Sequence, residues 1–148
     1  MKRRHLTLAL LTLTAPLLIP AGQNSMNNPL KPLRWENRVI LYTLADEDRP
    51  AFAKALADHR NGLRERHLVL IGHDFAIPDE VPAVPVGADE WQWLRERYNM
   101  EAGATELVLI GKDGGVKERL REIDLPRLFA AIDRMPMRRA EMRRQRED

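Results

Sequence analysis

Three consecutive acidic residues, Asp46, Glu47 and Asp48, directly follow an apolar run that predicts a buried β-strand. Carboxylates this close together could hold a divalent cation, or one could act as a general acid and another as a general base. The same residues would also complement the positive N-terminal end of a following helix, with Asp48 as its cap. We favour helix capping, because no other polar residues form a recognisable cluster with these carboxylates.

The other residue types that could do chemistry lack the spacing that chemistry requires. A hydroxyl nucleophile needs a neighbouring base, and a metal site needs ligands at recurring intervals. The hydroxyl residues beyond the N-terminal segment are Ser25, Thr43 and Thr105, and the histidines of the predicted domain are His59, His67 and His73. Neither pattern is present among them. The sequence also contains no cysteine, which excludes disulfides, thiolate metal sites and a cysteine nucleophile within it. We therefore assign no catalytic residue, metal ligand or cofactor.

Net charge gives no indication of a nucleic-acid partner. The formal charge of the 148 residues is +2. Removing Lys2, Arg3 and Arg4 from the 24 basic residues leaves 21 basic against 22 acidic residues. The body of the chain therefore has no global basic field of the kind that nucleic-acid binding requires.

The first 22 residues predict a secretory signal peptide. Basic residues 2–4 precede an apolar run over residues 6–20, which is too short to span a bilayer as a helix and is interrupted by Pro16 and Pro20. Small residues follow, so cleavage is expected after Ala21 or Gly22, with an uncleaved anchor as the alternative. We expect a periplasmic or secreted protein without stable membrane insertion after signal removal. Residues 23–34 are expected to form a polar leader.

The remaining chain predicts the order β-α-β-α-β-β-α. Apolar runs at 38–44 and 67–73 predict two buried strands, separated by a helix that ends near Asn61-Gly62. A second helix is expected to begin at Asp89, with Gln92 completing a capping box. A final helix is expected to begin at Asp124. A parallel pair plus an antiparallel hairpin gives an α/β fold with a mixed four-stranded sheet, an order that resembles the thioredoxin-like arrangement.

The hairpin is the clearest local prediction. Asp113-Gly114 at the centre of a short turn indicates a primed turn, in which the loop residues adopt positive φ. This register pairs Leu109 with Glu118 and Gly111 with Val116. It places four apolar side chains on one face: Leu107, Leu109, Val116 and Leu120. The first strand is apolar on both faces and should be central, beside the first strand of the domain, whereas the charged second strand should lie at an edge.

Several aromatic and basic residues are candidates for exposed surfaces. We expect Trp35 to pack against the domain. Trp91 and Trp93 lie two residues apart, about 200° around a helix, so one should be partly exposed unless the loop with Pro78, Pro82 and Pro85 covers it. Residues 137–148 are expected to form a solvated, charged tail. Its arginines could alternatively contact anionic lipid or an acidic partner, namely Arg138, Arg139, Arg143, Arg144 and Arg146.

Three segments carry a resemblance to a known family. They are Trp35-x-x-Arg38-Val-Ile-Leu, Leu109-Ile-Gly-Lys-Asp-Gly-Gly-Val-Lys117 and Leu128-Phe-x-x-Ile-Asp-x-Met-Pro-Met-Arg-Arg139. Together they resemble an uncharacterised bacterial family of small exported proteins with a thioredoxin-like domain of unknown function. A similar domain is found in animal extracellular proteins of the coiled-coil-domain-containing and sushi-repeat types. The resemblance spans roughly residues 28–143 and brings no established catalytic residue.

Two features of redox-active thioredoxin-like proteins are missing from the sequence. The segment 44–50, where such proteins carry a cysteine pair at a helix N-terminus, has no thiol. The segment 103–106, where a cis-proline usually precedes the third strand, has no proline. We therefore expect a non-catalytic, redox-inactive binding or interaction module within domain residues 35–136. The alternative is an enzyme with carboxylate- or cation-dependent chemistry near Asp46–Asp48.

An interaction surface is expected beyond the carboxyl ends of the first two strands, where ligands favour the crevice in α/β units. The loop over residues 74–87 and the chain near Thr105 should meet the acidic segment there. The residues assigned to this surface are Asp46, Glu47, Asp48, Phe75 and Thr105. The sequence names neither the protein nor the small molecule that would bind.

Overall fold

The computed structural model describes residues 28–73 and 75–147. The predicted signal peptide, the first part of the leader with Ser25, and Asp74 lie outside the described residues. The elements are a 3-10 helix (Lys31–Leu33), β1 (Arg38–Thr43), a 3-10 turn (Asp46–Asp48), α1 (Arg49–Glu65), β2 (Leu68–Ile71), α2 (Ala88–Arg97), β3 (Glu106–Ile110), β4 (Val116–Leu120), α3 (Leu125–Asp133) and α4 (Pro136–Glu147).

The four strands form one mixed sheet in the order β2-β1-β3-β4. β1 pairs with β2 in parallel and with β3 antiparallel, and β3 pairs with β4 antiparallel. Every residue of β1 and β3 is buried, whereas most of β4 is not. The predicted fold class is confirmed, including the central position of β3 beside β1 and the edge position of β4.

Both faces of the sheet carry an apolar core. Alternate residues of β1 point to opposite sides: Ile40 and Tyr42 join the cluster covered by α1 and α3, whereas Val39 and Leu41 join the cluster covered by α2. The predicted inward residues of α3 are all buried, namely Leu125, Leu128, Phe129 and Ile132. Burial of each such side chain stabilises the fold by about 1.5–3 kcal/mol.

The hairpin turn differs from the primed turn that Asp113-Gly114 predicts. The Gly114 amide donates to the Gly111 carbonyl over 2.9 Å, and Gly114 has a φ of +85° while Asp113 does not adopt positive φ. A type I turn followed by a glycine in the left-handed region gives a bulge. Leu109 still faces Glu118, as predicted, but Ile110 instead of Gly111 faces Val116. Val116 is consequently 48% exposed and not part of the core.

Helix ends also differ from the predicted positions. α1 continues past Gly62 to Glu65. The glycine lets the Phe129 ring pack closely on the helix, since a Cβ at Gly62 would lie 2.6 Å from the ring. α2 begins after Gly87, two residues before the predicted cap, and Glu90 instead of Gln92 accepts the cap amide at 2.9 Å. The Asp124 cap is as predicted, since its carboxylate accepts from the Arg127 amide at 2.9 Å.

Residues 28–34 of the leader and part of the tail pack on the domain, which corrects the expectation of a solvated tail. Leu30 is buried in the α2-side core, and the 3-10 helix follows it. α4 buries Arg138 and Glu141, while its other arginines are exposed. In the described part of the chain, no helix is both long and apolar enough to cross a membrane.

Candidate functional site

The acidic segment lies between β1 and α1. Asp46 and Glu47 are exposed, and Asp46 forms an ion pair of 3.0 Å with Arg49. Asp48 occupies the N-cap position of α1, but its side chain makes no capping hydrogen bond. The capping role predicted for the Asp48 carboxylate is therefore wrong, because that carboxylate has a different partner.

Thr105 is this partner. Its hydroxyl donates to the Asp48 carboxylate over 2.5 Å and accepts from the Ala45 amide at 3.0 Å. The contact joins the end of β1 to the loop before β3. The structure thus brings Asp48 and Thr105 together, in a hydrogen-bonded link between two loops.

Phe75 is partly buried and packs against the core on the α1 side of the sheet. Its ring stands edge-on to Phe52 of α1 at a centroid distance of 5.6 Å, and its carbonyl accepts from the Tyr42 hydroxyl at 3.0 Å. The Tyr42 ring packs directly against Gly72, where a Cβ would lie only 2.3 Å from the ring. Gly72 therefore permits the contact that ties the start of the loop to β1.

A cavity of about 500 Å³ opens beside Phe75, within the range typical of ligand sites. It lies at the carboxyl end of β2 and along the following loop. Apolar walls combine with His73 and Asp79; the lining includes Tyr42, Leu70, Phe75, Ile77, Val81 and Val84. Thr105 lines a different cavity, of about 490 Å³. The five residues assigned to the predicted interaction surface are thus spread over two cavities and an exposed acidic turn.

The described residues contain no group of three or more histidine and carboxylate side chains placed to hold a metal ion. His59 stands edge-on to Phe129 at 5.7 Å, His67 contacts Lys112, and His73 lines the cavity beside Phe75. The three histidines thus lie in three different surroundings.

Sequence reasoning missed a charge cluster at the opposite end of the sheet, which we call the ion network (Arg38, His67, Lys112, Asp133, Arg138 and Glu141). Four of its members are buried, namely Arg38, Lys112, Arg138 and Glu141, whereas Asp133 is partly buried and His67 is exposed. Arg38 begins β1, His67 precedes β2 and Lys112 follows β3. Because β1 is parallel to β2 and antiparallel to β3, all three residues lie at the same end of the sheet. The Glu141 carboxylate pairs with Arg38 at 3.1 Å and with Lys112 at 2.8 Å. These three side chains are at most 8% exposed.

The network lowers the pKa values of Glu141 and His67. Burial alone would raise the pKa of Glu141, but hydrogen bonds and charge from Lys112 and Arg38 outweigh it and lower that pKa to about 2. Burial and the Lys112 charge lower the pKa of His67, whose Nδ1 accepts from the Lys112 ammonium at 2.9 Å. Arg138 donates to the Glu65 carbonyl at 2.8 Å. Since these groups are partnered, the network holds α4 against the sheet.

A signal for the network was present in the sequence. Arg38, Lys112 and Arg138 fall in the three segments that carry the family resemblance. An arginine at the start of an apolar strand needs a buried partner, but nothing local in the sequence identifies Glu141, 103 residues away, as that partner.

One of the three tryptophans differs from expectation. Trp35, expected to pack on the domain, is 56% exposed and has a φ of +71°, which is rare for a bulky residue. Its amide donates to the Lys112 carbonyl at 2.7 Å, which holds this backbone conformation. Trp91 is buried, and Trp93 is partly buried against the same core. The loop after β2 contributes Val84 and Val86 to that core, so it covers this side of α2.

Comparisons with known proteins place the chain in a fold and a family. The structure of reduced 2-Cys peroxiredoxin from Plasmodium vivax matches with a TM-score of 0.52 and 16% identity, over 70% of this chain and 80% of that chain. A secreted Mycobacterium tuberculosis disulfide oxidoreductase homologous to E. coli DsbE matches with a TM-score of 0.34 and 10% identity, over 71% and 86%.

The peroxiredoxin likeness supports the thioredoxin-like α/β fold and nothing about activity. Among curated proteins, none matches the sequence significantly. The model of the family described as Domain of unknown function (DUF4174) matches residues 29–141, which include both the candidate cavity and the ion network. The chain therefore belongs to the DUF4174 family.

Proposed function

We propose that this protein is a non-catalytic, redox-inactive binding module that works in the periplasm. The observation that carries the proposal is the cavity beside Phe75, which has the size of a ligand site and lies beyond the carboxyl end of β2. Most of its lining residues are apolar, with His73 and Asp79 among the polar ones. The partner that fits is a peptide or small molecule that places an apolar group between Phe75 and Val84.

The part of the loop beside β2, residues 81–84, is held in place by backbone hydrogen bonds before any partner binds. The Leu70 amide donates to the Pro82 carbonyl and the Val84 amide donates to the Leu70 carbonyl, both over 2.9 Å. The Val81 amide donates to the Pro78 carbonyl at 2.9 Å. A loop held in this way loses little conformational entropy on binding, so more of the contact energy contributes to affinity.

A site-specific photo-crosslinker tests the binding role. Benzoylphenylalanine at Ala83, an exposed residue of the cavity, should give a discrete crosslinked species in living cells. The matched control is the same substitution at Ala57, an exposed alanine on α1. Equal crosslinking from both positions, or none from Ala83, would contradict the proposal.

Redox inactivity is supported by the lack of any cysteine in the sequence. Thiol–disulfide exchange requires a thiolate, and no other side chain can replace it in that reaction. The purified protein should leave the rate of insulin reduction by dithiothreitol at its background value. Reproducible acceleration by clean protein would sink this part of the proposal.

The periplasmic location is supported by the basic and apolar pattern of residues 1–22 and by the resemblance to small exported bacterial proteins. Intact-mass measurement on protein from a periplasmic fraction should give the mass of a chain cleaved after Ala21 or Gly22. Recovery of a full-length, membrane-bound species would instead favour the anchor alternative.

The contacts do not favour the alternative of an enzyme at the acidic segment. Asp46 pairs with Arg49, and Asp48 is bound to Thr105. Both carboxylates thus have partners that position loops.

A further inference from the structure

A third cavity, of about 290 Å³, lies on the α2 side of the sheet, near the hairpin turn. Three separate parts of the chain build it: the leader, the end of α2 and the hairpin turn. Its apolar floor includes Leu33, Val39 and Ile110. We call it the leader pocket.

Hydrogen-bond donors surround the leader pocket. Lys31, Arg34 and Arg97 line it, and among the described residues none of their side chains has a hydrogen bond or ion pair. The Tyr98 hydroxyl and the Asn28 side-chain amide nitrogen also lack a hydrogen-bond partner there, although the Asn28 carbonyl oxygen accepts from the Leu30 amide at 3.0 Å. Three like charges around one small cavity repel each other, and a bound anion would relieve that repulsion.

The single carboxylate among the lining residues does not neutralise these charges. The Asp113 carboxylate is held at 2.6 Å by Lys117 and at 3.0 Å by the Gly115 amide. The Lys117 hydrogen bond is the main cause that lowers the pKa of Asp113, so this group stays ionised and engaged. The unpaired charge of the pocket is therefore positive.

Arg34 is positioned before any ligand binds. Its guanidinium carbon lies 5.3 Å from the centre of the Trp35 ring, and its side chain reaches over Gly114 of the hairpin turn. This aromatic contact restricts the guanidinium without using its hydrogen-bond donors. An arginine held in this way can present a planar pair of N–H groups to an oxyanion.

We propose that the leader pocket binds the oxyanion group, phosphate or carboxylate, of a small organic molecule. Arg34 and Arg97 supply the charge, and Lys31, Tyr98 and Asn28 supply further donors. The site is separate from the cavity beside Phe75, so either proposal can fail without the other.

NMR titrations of the signal-cleaved protein with inorganic phosphate and with citrate test this inference, with chloride at equal ionic strength as the reference. We expect saturable shifts at the side-chain N–H groups of Arg34 and Arg97 and at the Gly114 amide, with millimolar or tighter dissociation constants. Saturation by one anion only would identify the group recognised, and saturation by both would indicate recognition of negative charge. Shifts that do not saturate, or that chloride reproduces, would overturn the inference.

Variants distinguish the pocket from general surface charge. Arg34→Gln and Arg97→Gln, singly and together, should weaken anion binding, at least tenfold in the double variant, because both residues are exposed and unneeded for the core. The control is Arg60→Gln with Arg144→Gln, which removes the same charge from exposed, unpaired arginines elsewhere. Tyr98→Phe should weaken binding severalfold without changing charge. Equal weakening by the control, or full binding by the double pocket variant, would refute the assignment.

Discussion

At the residue scale, one carboxylate decides how the C-terminal part of the chain is held. Glu141 forms ion pairs with two buried cations, Arg38 at the start of β1 and Lys112 just after β3. A buried cation left without its partner is costly, so breaking such a cluster destabilises a protein more than forming it stabilises. The effect of Glu141 should therefore be visible in stability and in its pH dependence.

The variant Glu141→Gln should be roughly 3 kcal/mol less stable than the parent at pH 7, since the folded pKa of about 2 lies below the ordinary value of 4.5. A lowered folded pKa gives stability that is complete above 4.5 and is lost as the pH falls towards 2. Urea unfolding from pH 7 to pH 2 should show the difference between parent and variant shrinking over that range. Glu147→Gln, on the exposed side of α4, is the control and should have no such effect.

Gly72→Ala is expected to destabilise the fold by about 1–3 kcal/mol through overpacking. The added Cβ would lie 2.3 Å from the buried Tyr42 ring, which is held by its hydrogen bond to the Phe75 carbonyl. Gly115→Ala, whose nearest contact would be an ordinary 3.5 Å, should cost less. Thermal unfolding of both variants measures this; equal losses would show that the Tyr42 ring yields easily.

At the element scale, α4 should be needed for stability although most of its surface is charged. Ending the chain after Met135 removes Glu141, the ion-pair partner of Arg38 and Lys112, at a cost of roughly 3–5 kcal/mol. Ending it after Met142 removes only exposed arginines and polar residues, and stability should stay near that of the full chain. Urea midpoints of both truncations provide the comparison. If the chain ending at Met135 were as stable as the full chain, α4 would not contribute to stability and would be a solvated tail.

The elements differ in how far local sequence determines them. The strands and α3 could be predicted, because apolar periodicity is a local signal and Asp124 caps its own helix. The burial of α4 could not, because its sequence carries a solvated pattern and its partners, Arg38 and Lys112, are distant in the chain. The hairpin register was half predictable: the Asp-Gly signal located the turn, but a single left-handed glycine shifted the pairing.

The candidate sites show the same limit. The acidic segment was visible as a group of residue types, yet the hydroxyl of Thr105 reaches Asp48 through a contact across 57 residues. Likewise the leader pocket combines three segments whose separate sequences predict a linker, a helix end and a turn. Sites of this kind depend on tertiary placement, which single-sequence patterns do not encode.

At the scale of the whole molecule, different features lie at the two ends of the sheet. The cavity beside Phe75 and the acidic segment lie at the end where β1 and β2 finish, whereas the ion network closes the end where they begin. Between the two ends, β1 and β3 are buried on both faces. Such an arrangement predicts that the ends open separately and that the centre opens only when the whole molecule unfolds.

Hydrogen exchange of backbone amides, measured residue by residue in low concentrations of urea, should resolve these units. Amides of β1 and β3 should exchange only through global unfolding, since both strands are hydrogen-bonded on both sides. Amides of residues 31–34 and of residues 76–80 should exchange through local opening, because these segments are short and largely exposed. Glu141→Gln should speed exchange in α4 more than in the loop after β2, as the ion network contacts only the former. If the β1 amides exchanged as quickly as the leader amides, the sheet would not be the stable centre on which both candidate sites are built.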